Sequence, residues 1–365
     1  MRESAEDVAR FTRGGALDRE AVRIRIGAYA LDSAGSQLLP RHPSERTKVV
    51  SGAVLRLLAA AEAGPIPPSS KGWTALDCAA VVLDGAASLV SPSGLLRGPE
   101  AAHNLFPILA APSALAPGLS EDALAAAARH PDEDRLAGVL YRFGRRPAGA
   151  ASTERDADRA AVSRFLGLDP VPEWLRPWRR VGPSASTGWN QWVLSRLVRP
   201  LGTGFMFKLY VGTSAEALPI ALRHTCEAAA HIGVPCVKVA SDTHALARPD
   251  KLVAYVADSD QRDRLAERLH CSLAGLPPHP VPFTAPLADD GLVSWAADPP
   301  RDSSEGRRSW REHVCLLLAE GLHRARAAGI VTADAMIAAR AWALIGGVDP
   351  LGWYPLALST SGSRH

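Results

Sequence analysis

The stretch TGFMFKLYVG, residues 203–212, decides the fold of the second half of the chain. Its aromatic and β-branched side chains predict a β-strand. Successive side chains of a strand point to opposite faces, so Lys208 and Tyr210 share one face while apolar neighbours such as Leu209 face the core. A lysine and a tyrosine on one polar face can form an acid–base pair. The simpler alternative is a solvated lysine with a tyrosine beside it.

Working outward from this strand, the pattern predicts a mixture of strands and helices, and therefore an α+β fold. After it we expect short strands over 234–240 and 251–257, and helices over 213–231 (started by a Thr213–Glu216 capping box), 259–273 (capped by Asp258), 305–328 and 333–345. Before it we expect helices over 121–130, 132–144 and 154–167, and an ordered Pro/Trp-rich loop over 171–188.

These elements predict a division of the chain into a helical N-terminal region and a mixed α/β domain. The expected boundaries are 1–150 for the helical domain, 151–202 for a helix and connector, 203–345 for the α/β domain and 346–365 for a C-terminal tail. A chain of 365 residues has room for two domains.

Composition excludes several classes of function. The formal charge is +3, from 41 basic and 38 acidic residues, which argues against a large nucleic-acid interface. The five cysteines are scattered and none has metal-site spacing, which suits a reducing compartment. The N-terminus is polar, and no apolar run is long enough to cross a membrane. We therefore expect a cytoplasmic protein with no bound metal.

Lysine is rare in this chain and unevenly placed. Only five of the 41 basic residues are lysine, and three of them, Lys208, Lys238 and Lys251, lie close together in the sequence. Arginine can replace lysine as a surface charge but not as a proton acceptor, because a guanidinium does not deprotonate. The spacing therefore favours a chemical role for these lysines, with chance clustering as the alternative.

Adjacent predicted strands should bring several polar residues into one cleft: Lys208, Lys238, Arg248, Lys251 and Tyr255. Cations packed together are costly unless an anion binds among them, and phosphate is the anion that arginine grips with paired N–H groups. The alternative for Arg248 is a local ion pair with Asp250 at a turn. Further along the chain, Arg307, Arg308 and Arg311 either close the same site or form a surface cluster with neighbouring acids.

Four motifs of this region, in this order, resemble the bacterial phosphothreonine lyases. They are FKLYVG (207–212), PCVKV (235–239), ARPDKLVAYV (247–256) and PFTAPLADDGLVSWAADPP (282–300). The family includes type III secreted effectors, the lyase domains of class III and IV lanthipeptide synthetases, and the stand-alone Hop-type lyases of class V lanthipeptide and thioamitide pathways. The last motif is most similar to the stand-alone enzymes. The resemblance covers about residues 203–330.

The resemblance implies a β-elimination without metal or cofactor, which removes phosphate from phosphoserine or phosphothreonine of a peptide and leaves dehydroalanine or dehydrobutyrine. By similarity, neutral Lys208 would abstract the α-proton. Tyr210 stands where the effectors have a histidine that protonates the leaving phosphate, and His244 is a second candidate acid. The phosphate ligands implied are Lys238, Arg248, Lys251 and Tyr255, joined by Arg307, Arg308 and Arg311.

The same resemblance implies partners. These are a phosphorylated precursor peptide, a separate Ser/Thr kinase and, in such pathways, a cyclase, with residues 1–150 holding the leader peptide or a partner protein. Because Tyr210 replaces the histidine, a non-catalytic module that binds phosphopeptide or leader peptide is the alternative. An effector acting on host signalling kinases is a third reading, for which no secretion signal is evident.

Overall fold

The structure is a computed structural model of the 365-residue chain. It describes residues 29–31, 37–40, 48–49, 79–80, 82–83, 89–91, 94–96, 98–106, 109, 118–146, 155–181, 188–195, 206–299, 308–330 and 333–356. Arg307, residues 147–154 around the predicted boundary and residues 357–365 of the predicted tail lie outside this part of the chain. Helices and strands occur together, with antiparallel pairing, so the predicted α+β class is confirmed.

The chain divides into two compact units: residues 1–112 with 317–347, and residues 113–316 with 348–365. The first boundary therefore falls before the predicted position near 150, and the second falls at Leu316, inside a helix. In the first unit the described elements are β1 (Tyr29–Leu31), β2 (Gln37–Pro40), β3 (Lys48–Val49), β4 (Leu89–Ser91), β5 (Gly94–Leu96) and α1 (Ala102–Leu105). Two helices further along the chain contribute to it as well.

The second unit contains most of the described structure. Its strands are β6 (Trp178–Val181), β7 (Trp189–Leu194), β8 (Met206–Val211), β9 (Cys236–Ala240), β10 (Leu252–Val256), β11 (Ala285–Pro286) and β12 (Val293–Asp298). Its helices are α2 (Gly118–Arg129), α3 (Leu136–Arg142), α4 (Arg155–Phe165), α5 (Leu218–Ile232), α6 (Thr243–Leu246) and α7 (Ser259–Ser272). Then follow α8 (Trp310–Ala327), which contains the boundary, and α9 (Ala333–Ile345), which lies in the first unit.

Among the described residues, the second unit has one seven-stranded sheet in the order β11-β12-β8-β10-β9-β7-β6. Every neighbouring pair in it is antiparallel. One face is apolar and belongs to the main hydrophobic core, where Leu209, Val237 and Ala254 are fully buried. Helices α5 and α7 contribute to the same core through residues such as Leu222 and Leu265. The two-residue alternation of each strand therefore sends its polar side chains to the opposite face.

The local sequence explains where the covering helices begin and end. The Asp258 side chain accepts a hydrogen bond from the Gln261 backbone at 2.8 Å and caps α7, as predicted. The predicted Thr213–Glu216 capping box is wrong, because α5 begins at Leu218 and the Thr213 hydroxyl donates to the Pro277 carbonyl instead. Helix α5 ends at Gly233, whose φ of 84° is a left-handed conformation that favours glycine.

The Pro/Trp-rich stretch 171–188 differs most from its prediction as a loop. Trp178–Val181 forms edge strand β6, which pairs with β7, and β7 in turn pairs with β9. Tryptophan is a good strand residue, but the prolines on either side of this short segment obscure the alternation that would identify it. Two strands were therefore missed, and one of them contributes to the site.

Candidate active site

The polar face of the sheet brings Lys208, Tyr210, Lys238 and Tyr255 together, as predicted. Lys208 on β8 lies opposite Tyr255 on β10, and Tyr210 lies opposite Val253 of the same strand. Val253 in turn lies opposite Lys238 on β9. Directly paired residues of an antiparallel sheet point to the same face, so these four polar side chains occupy neighbouring positions on three adjacent strands.

Lys208 is held in a buried ion pair. Its Nζ lies 2.6 Å from Oδ2 of Asp298, the last residue of β12. Oδ1 of Asp298 accepts a hydrogen bond of 2.7 Å from the backbone N–H of Trp310, where α8 begins. Lys208 and Asp298 are 6% and 3% exposed, so this pair is shielded from solvent. A carboxylate this close favours the charged ammonium, which fixes a positive charge on the face of the sheet.

Lys238 has a different environment. Its Nζ lies 4.2 Å from the centroid of the Trp189 ring and donates a hydrogen bond of 3.3 Å to the Tyr255 hydroxyl. Burial and the nearby charge of Lys208 lower the pKa of Lys238 to about 8. Within the described part of the chain, its ammonium forms no ion pair with a carboxylate. Lys238 can therefore lose its proton near neutral pH, unlike an ordinary surface lysine.

Arg248 is fixed by a network around Asp250. Its Nε and Nη2 donate to the two Asp250 oxygens, each at 2.9 Å, and Nη2 also donates to the Tyr141 hydroxyl at 2.8 Å. Burial alone would raise the pKa of Asp250, but the charges of Arg311 and Arg248 hold it far below its usual range. The guanidinium of Arg248 also lies 5.0 Å from the centroid of the Trp189 ring. Arg248 and Lys238 therefore approach the same tryptophan. We call Lys208, Lys238 and Arg248 the cationic cluster.

Tyr210 keeps its proton at physiological pH. It is 3% exposed, and burial together with the negative charges of Asp298 and Asp250 raises its pKa well above the usual value of 10.0. A phenol in this state can donate a hydrogen bond or a proton but does not act as a resting base.

The structure does not bring Lys251 into the cluster. Its fully buried Nζ donates to the Thr213 carbonyl at 2.6 Å and lies 2.8 Å from Nδ1 of His279. His279 Nε2 contacts the Gly144 carbonyl. Burial, then the charge of Lys251, lowers the pKa of His279 to about 4. Neutral His279 thus accepts from Lys251 through Nδ1 and donates to Gly144 through Nε2. This geometry makes Lys251 a link between chain segments, against its expected role as a phosphate ligand.

The loop at His279 approaches β8 very closely. Its backbone N–H donates to the Gly212 carbonyl at 2.7 Å. A Cβ added at Gly212 would lie 2.7 Å from the His279 carbonyl oxygen, so only glycine fits at this position. The glycine that ends the FKLYVG motif therefore has a packing role.

The remaining predicted residues have other contacts or serve the cluster indirectly. His244 is exposed, and its Nε2 accepts a hydrogen bond of 2.9 Å from Arg145, so this nitrogen carries no proton to donate. Arg308 is exposed at the start of α8. Arg311 is 2% exposed and binds Asp250 at 3.0 Å, so it orders the network, and direct contact with an anion stays a prediction.

Sequence reasoning missed three residues that shape the site: Tyr141, Trp189 and Asp298. The Tyr141 ring contacts both Arg248 and Arg311. Its centroid lies 5.5 Å from the guanidinium carbon of Arg248 and 4.9 Å from that of Arg311. Asp298 could have been recognised from the sequence, because it ends a predicted apolar segment. Two-residue alternation places its side chain on the same face as Ser294 and Ala296. Trp189 was hidden with its strand. Tyr141 lies in VLYRFG (139–144), which loosely resembles a segment of the same lyases, but no role was expected for it.

No group of three or more histidine, cysteine or acidic residues suited to a metal ion is found in the described ranges. In the same part of the chain, no helix combines the length and the apolar character needed to span a bilayer.

Comparisons with known proteins give distant structural similarities. No family model and no curated protein matches the sequence. The chain is similar to an effector protein from Pseudomonas syringae pv. tomato strain DC3000, at 13% identity and a TM-score of 0.38, covering 64% of this chain and 95% of that one. It is also similar to the type III effector and phosphothreonine lyase OspF from Shigella flexneri, at 11% identity and a TM-score of 0.29, covering 45% and 90%. Similarities this distant do not assign a family or an activity.

Proposed function

We propose that this chain is a phosphopeptide lyase, which removes phosphate from phosphothreonine or phosphoserine by β-elimination. The observation that carries the proposal is the contrast between two buried lysines on one sheet face. Lys208 is ion-paired with Asp298, whereas Lys238 has a lowered pKa and contacts the Trp189 ring and the Tyr255 hydroxyl. A fixed positive charge beside a lysine that deprotonates easily is what abstraction of a weakly acidic α-proton requires.

The geometry supports a division of roles that differs from the one expected by resemblance. Neutral Lys238 takes the proton from Cα, and the electron pair of the Cα–H bond becomes the Cα=Cβ double bond. The Cβ–O bond breaks, and phosphate leaves with its bridging oxygen. The Lys208 ammonium stabilises the negative charge that develops on the neighbouring carbonyl oxygen, while Arg248 binds the phosphate and Tyr210 donates to the leaving oxygen.

The finer proposal is that the substrate is a precursor peptide of a lanthipeptide-like pathway. A separate Ser/Thr kinase would phosphorylate it, this chain would form dehydroalanine or dehydrobutyrine, and a cyclase would use the product. Residues 1–150 would then hold the leader peptide or a partner. Support for this context is limited to the sequence resemblance, most of all in residues 282–300.

The test is mass spectrometry of a phosphothreonine peptide incubated with the protein in the presence of a chelator. We expect loss of the mass of phosphoric acid from the peptide. Loss of the phosphoryl group alone, leaving threonine, would indicate a phosphatase and contradict elimination. Lys238→Arg should abolish the product because arginine keeps the charge but cannot act as a base. Arg223→Gln, at an exposed position on α5, is the matched control.

A second candidate function is phosphopeptide binding without turnover, and Tyr210 is the observation that favours it. Its raised pKa makes it a poor acid, whereas the cationic cluster can still bind phosphate. In that case the intact phosphopeptide would be recovered after incubation, and its affinity would exceed that of the unphosphorylated peptide.

A further inference from the structure

Arg145, just after α3, lies beside the cationic cluster, because the chain around it is tied to Arg248 on both sides. The hydroxyl of Tyr141, four residues earlier, accepts a hydrogen bond of 2.8 Å from Nη2 of Arg248. The backbone N–H of Arg146 donates to the Ala247 carbonyl at 2.9 Å. These two contacts hold the segment that follows α3 against the residues that lead into Arg248.

The electrostatics of Arg145 agree with this placement. The side chain is partly buried, and burial, followed by the positive charge of Arg248, lowers its pKa. An arginine nevertheless stays protonated at physiological pH. Two neighbouring guanidiniums therefore repel each other where water screens them poorly, and such an arrangement is costly unless an anion binds beside them.

Asp250 does not neutralise these two arginines. Both of its oxygens accept from Arg248 at 2.9 Å, and Oδ2 also lies 3.0 Å from Nη1 of Arg311. In the part of the chain that the structure describes, Arg145 forms no ion pair with a carboxylate. Three guanidiniums and one carboxylate leave two net positive charges. A phosphate monoester, with a charge of about −2 at neutral pH, matches them.

His244 holds the Arg145 side chain in place. Its Nε2 accepts a hydrogen bond of 2.9 Å from Nη1 of Arg145. His244 belongs to α6, which is anchored because the buried Asp158 carboxylate accepts from the Thr243 backbone at 3.0 Å. Among the described residues, Nε and Nη2 of Arg145 have no hydrogen-bond partner. These two N–H groups form the fork that can bind two phosphate oxygens.

On the basis of the proposed phosphopeptide site, we propose that Arg145 is a further phosphate ligand of the cationic cluster and that His244 is its positioning residue. Arg145 and Arg248 then contact the same phosphate from two different segments of the chain. His244, which the sequence suggested as an acid, serves the site through Arg145. The alternative is a surface arginine whose hydrogen bond to a histidine has no bearing on anion binding.

The experiment measures two affinities. The first ligand is a phosphothreonine peptide without acidic residues, in which a methylene replaces the bridging oxygen so that no elimination can occur; its binding is measured by calorimetry. The second is inorganic phosphate, titrated by phosphorus NMR. Arg145→Gln should weaken the binding of both by about tenfold, the loss of one charge-assisted contact at a partly exposed position. Arg145→Lys keeps the charge without the fork and should recover part of this loss.

The matched control is Arg142→Gln. Arg142 is exposed, three residues before Arg145, and its guanidinium lies against Gly138 of its own helix. The substitution removes the same charge from the same segment, so it should leave both affinities as in the wild type. An equal loss in this control would show that only the general charge of the segment matters, which would overturn the assignment of Arg145.

A second pair of variants tests the positioning role. His244→Leu removes the acceptor and should weaken phosphate binding by about threefold, whereas His244→Gln keeps an acceptor and should lose less. Combined with Arg145→Gln, His244→Leu should cause no further loss, because His244 acts through Arg145. A further loss in the double variant would show that His244 does not act through Arg145. Urea unfolding establishes that each variant is folded.

The outcomes separate this inference from the lyase function, which mass spectrometry follows independently. Elimination together with unchanged affinities in Arg145→Gln would overturn the inference and leave the lyase standing. Absence of elimination, with phosphate binding that weakens in Arg145→Gln, would contradict the lyase and support the phosphate ligand. If the wild type binds neither the peptide nor phosphate, the cluster is not an anion site and both proposals are wrong.

Discussion

The ammonium of Lys208 and the carboxylate of Asp298 lie 2.6 Å apart on neighbouring strands, with both side chains almost fully buried. A buried ion pair costs desolvation on each side, and its attraction roughly offsets that cost. Removing one partner alone leaves an uncompensated charge in the interior. The pair is therefore a means of placing a charge and contributes little to net stability.

The first prediction tests this coupling by a double-mutant cycle. Lys208→Met and Asp298→Asn should each lower the free energy of unfolding by about 3 kcal/mol, because each leaves a buried group without its partner. Asparagine keeps an oxygen that can still accept from the Trp310 backbone. The double variant should lose clearly less than the sum of the two, as measured by urea unfolding. Strict additivity would show that the two groups are not coupled.

The second prediction concerns the pH dependence of elimination. The pKa of Lys238 is lowered to about 8, and its neutral form is the proposed base, so kcat/KM should rise as pH increases towards 8 and level off above it. Binding of the phosphate dianion favours the ammonium, so the profile of kcat should lie at higher pH than that of kcat/KM. Initial rates of phosphate release across neutral and alkaline pH provide the measurement. A profile that falls over this range would contradict Lys238 as the base.

The third prediction separates binding from proton donation at Tyr210. Tyr210→Phe removes the hydroxyl while keeping the ring in its buried position. We expect kcat to fall by about 10², while the affinity for a phosphonate analogue of the peptide changes little. Tyr210→His should restore part of the loss at mildly acidic pH, where imidazolium can donate. If Tyr210→Phe retains full activity, the leaving phosphate departs without its help.

The fourth prediction concerns stability at acidic pH. The pKa of His279 is lowered to about 4, so between pH 6.5 and 4 the unfolded chain binds a proton that the folded chain does not. Stability should therefore fall as pH falls through this window, by about 3 kcal/mol for this group. Glutamine can accept from Lys251 and donate to Gly144 without titrating, so His279→Gln should show a smaller loss.

Urea unfolding at the two ends of this window gives the comparison. His270→Gln, at an exposed position on α7, is the control and should behave as the wild type does. Equal losses in both variants would exclude His279 as the source of the acid sensitivity.

The parts of the site that could be predicted are those set by local alternation. The strand at Met206–Val211, the common face of Lys208 and Tyr210, and the approach of Lys238 and Tyr255 all follow from period-two patterns in short strands. For Lys251 the alternation pattern was not enough to predict the contacts of the side chain. Strand parity gives the direction of its side chain, but its partners Thr213 and His279 are distant in sequence and decide what its ammonium can reach.

The sequence alone also could not show which of the two lysines is the better candidate for the base. Lys208 and Lys238 look alike in the chain, and they differ only because Asp298 reaches one and Trp189 the other. Asp298 meets Lys208 through the pairing of β12 with β8, and Trp189 meets Lys238 through the pairing of β7 with β9, and neither pair of strands is consecutive in the sequence. Propensity and periodicity carry no information about such a choice.

The network around Asp250 joins segments that are far apart in the chain. Tyr141 contacts Arg248 across 107 residues and Arg311 across 170. Loop closure over such separations makes these contacts late events in folding. During synthesis the lysines emerge before Asp298 and Arg311, so the charged face cannot be assembled until α8 has begun to form. An unfinished or C-terminally truncated chain therefore has the lysines of the cluster but not Asp298 and Arg311, the residues that orient the charged face.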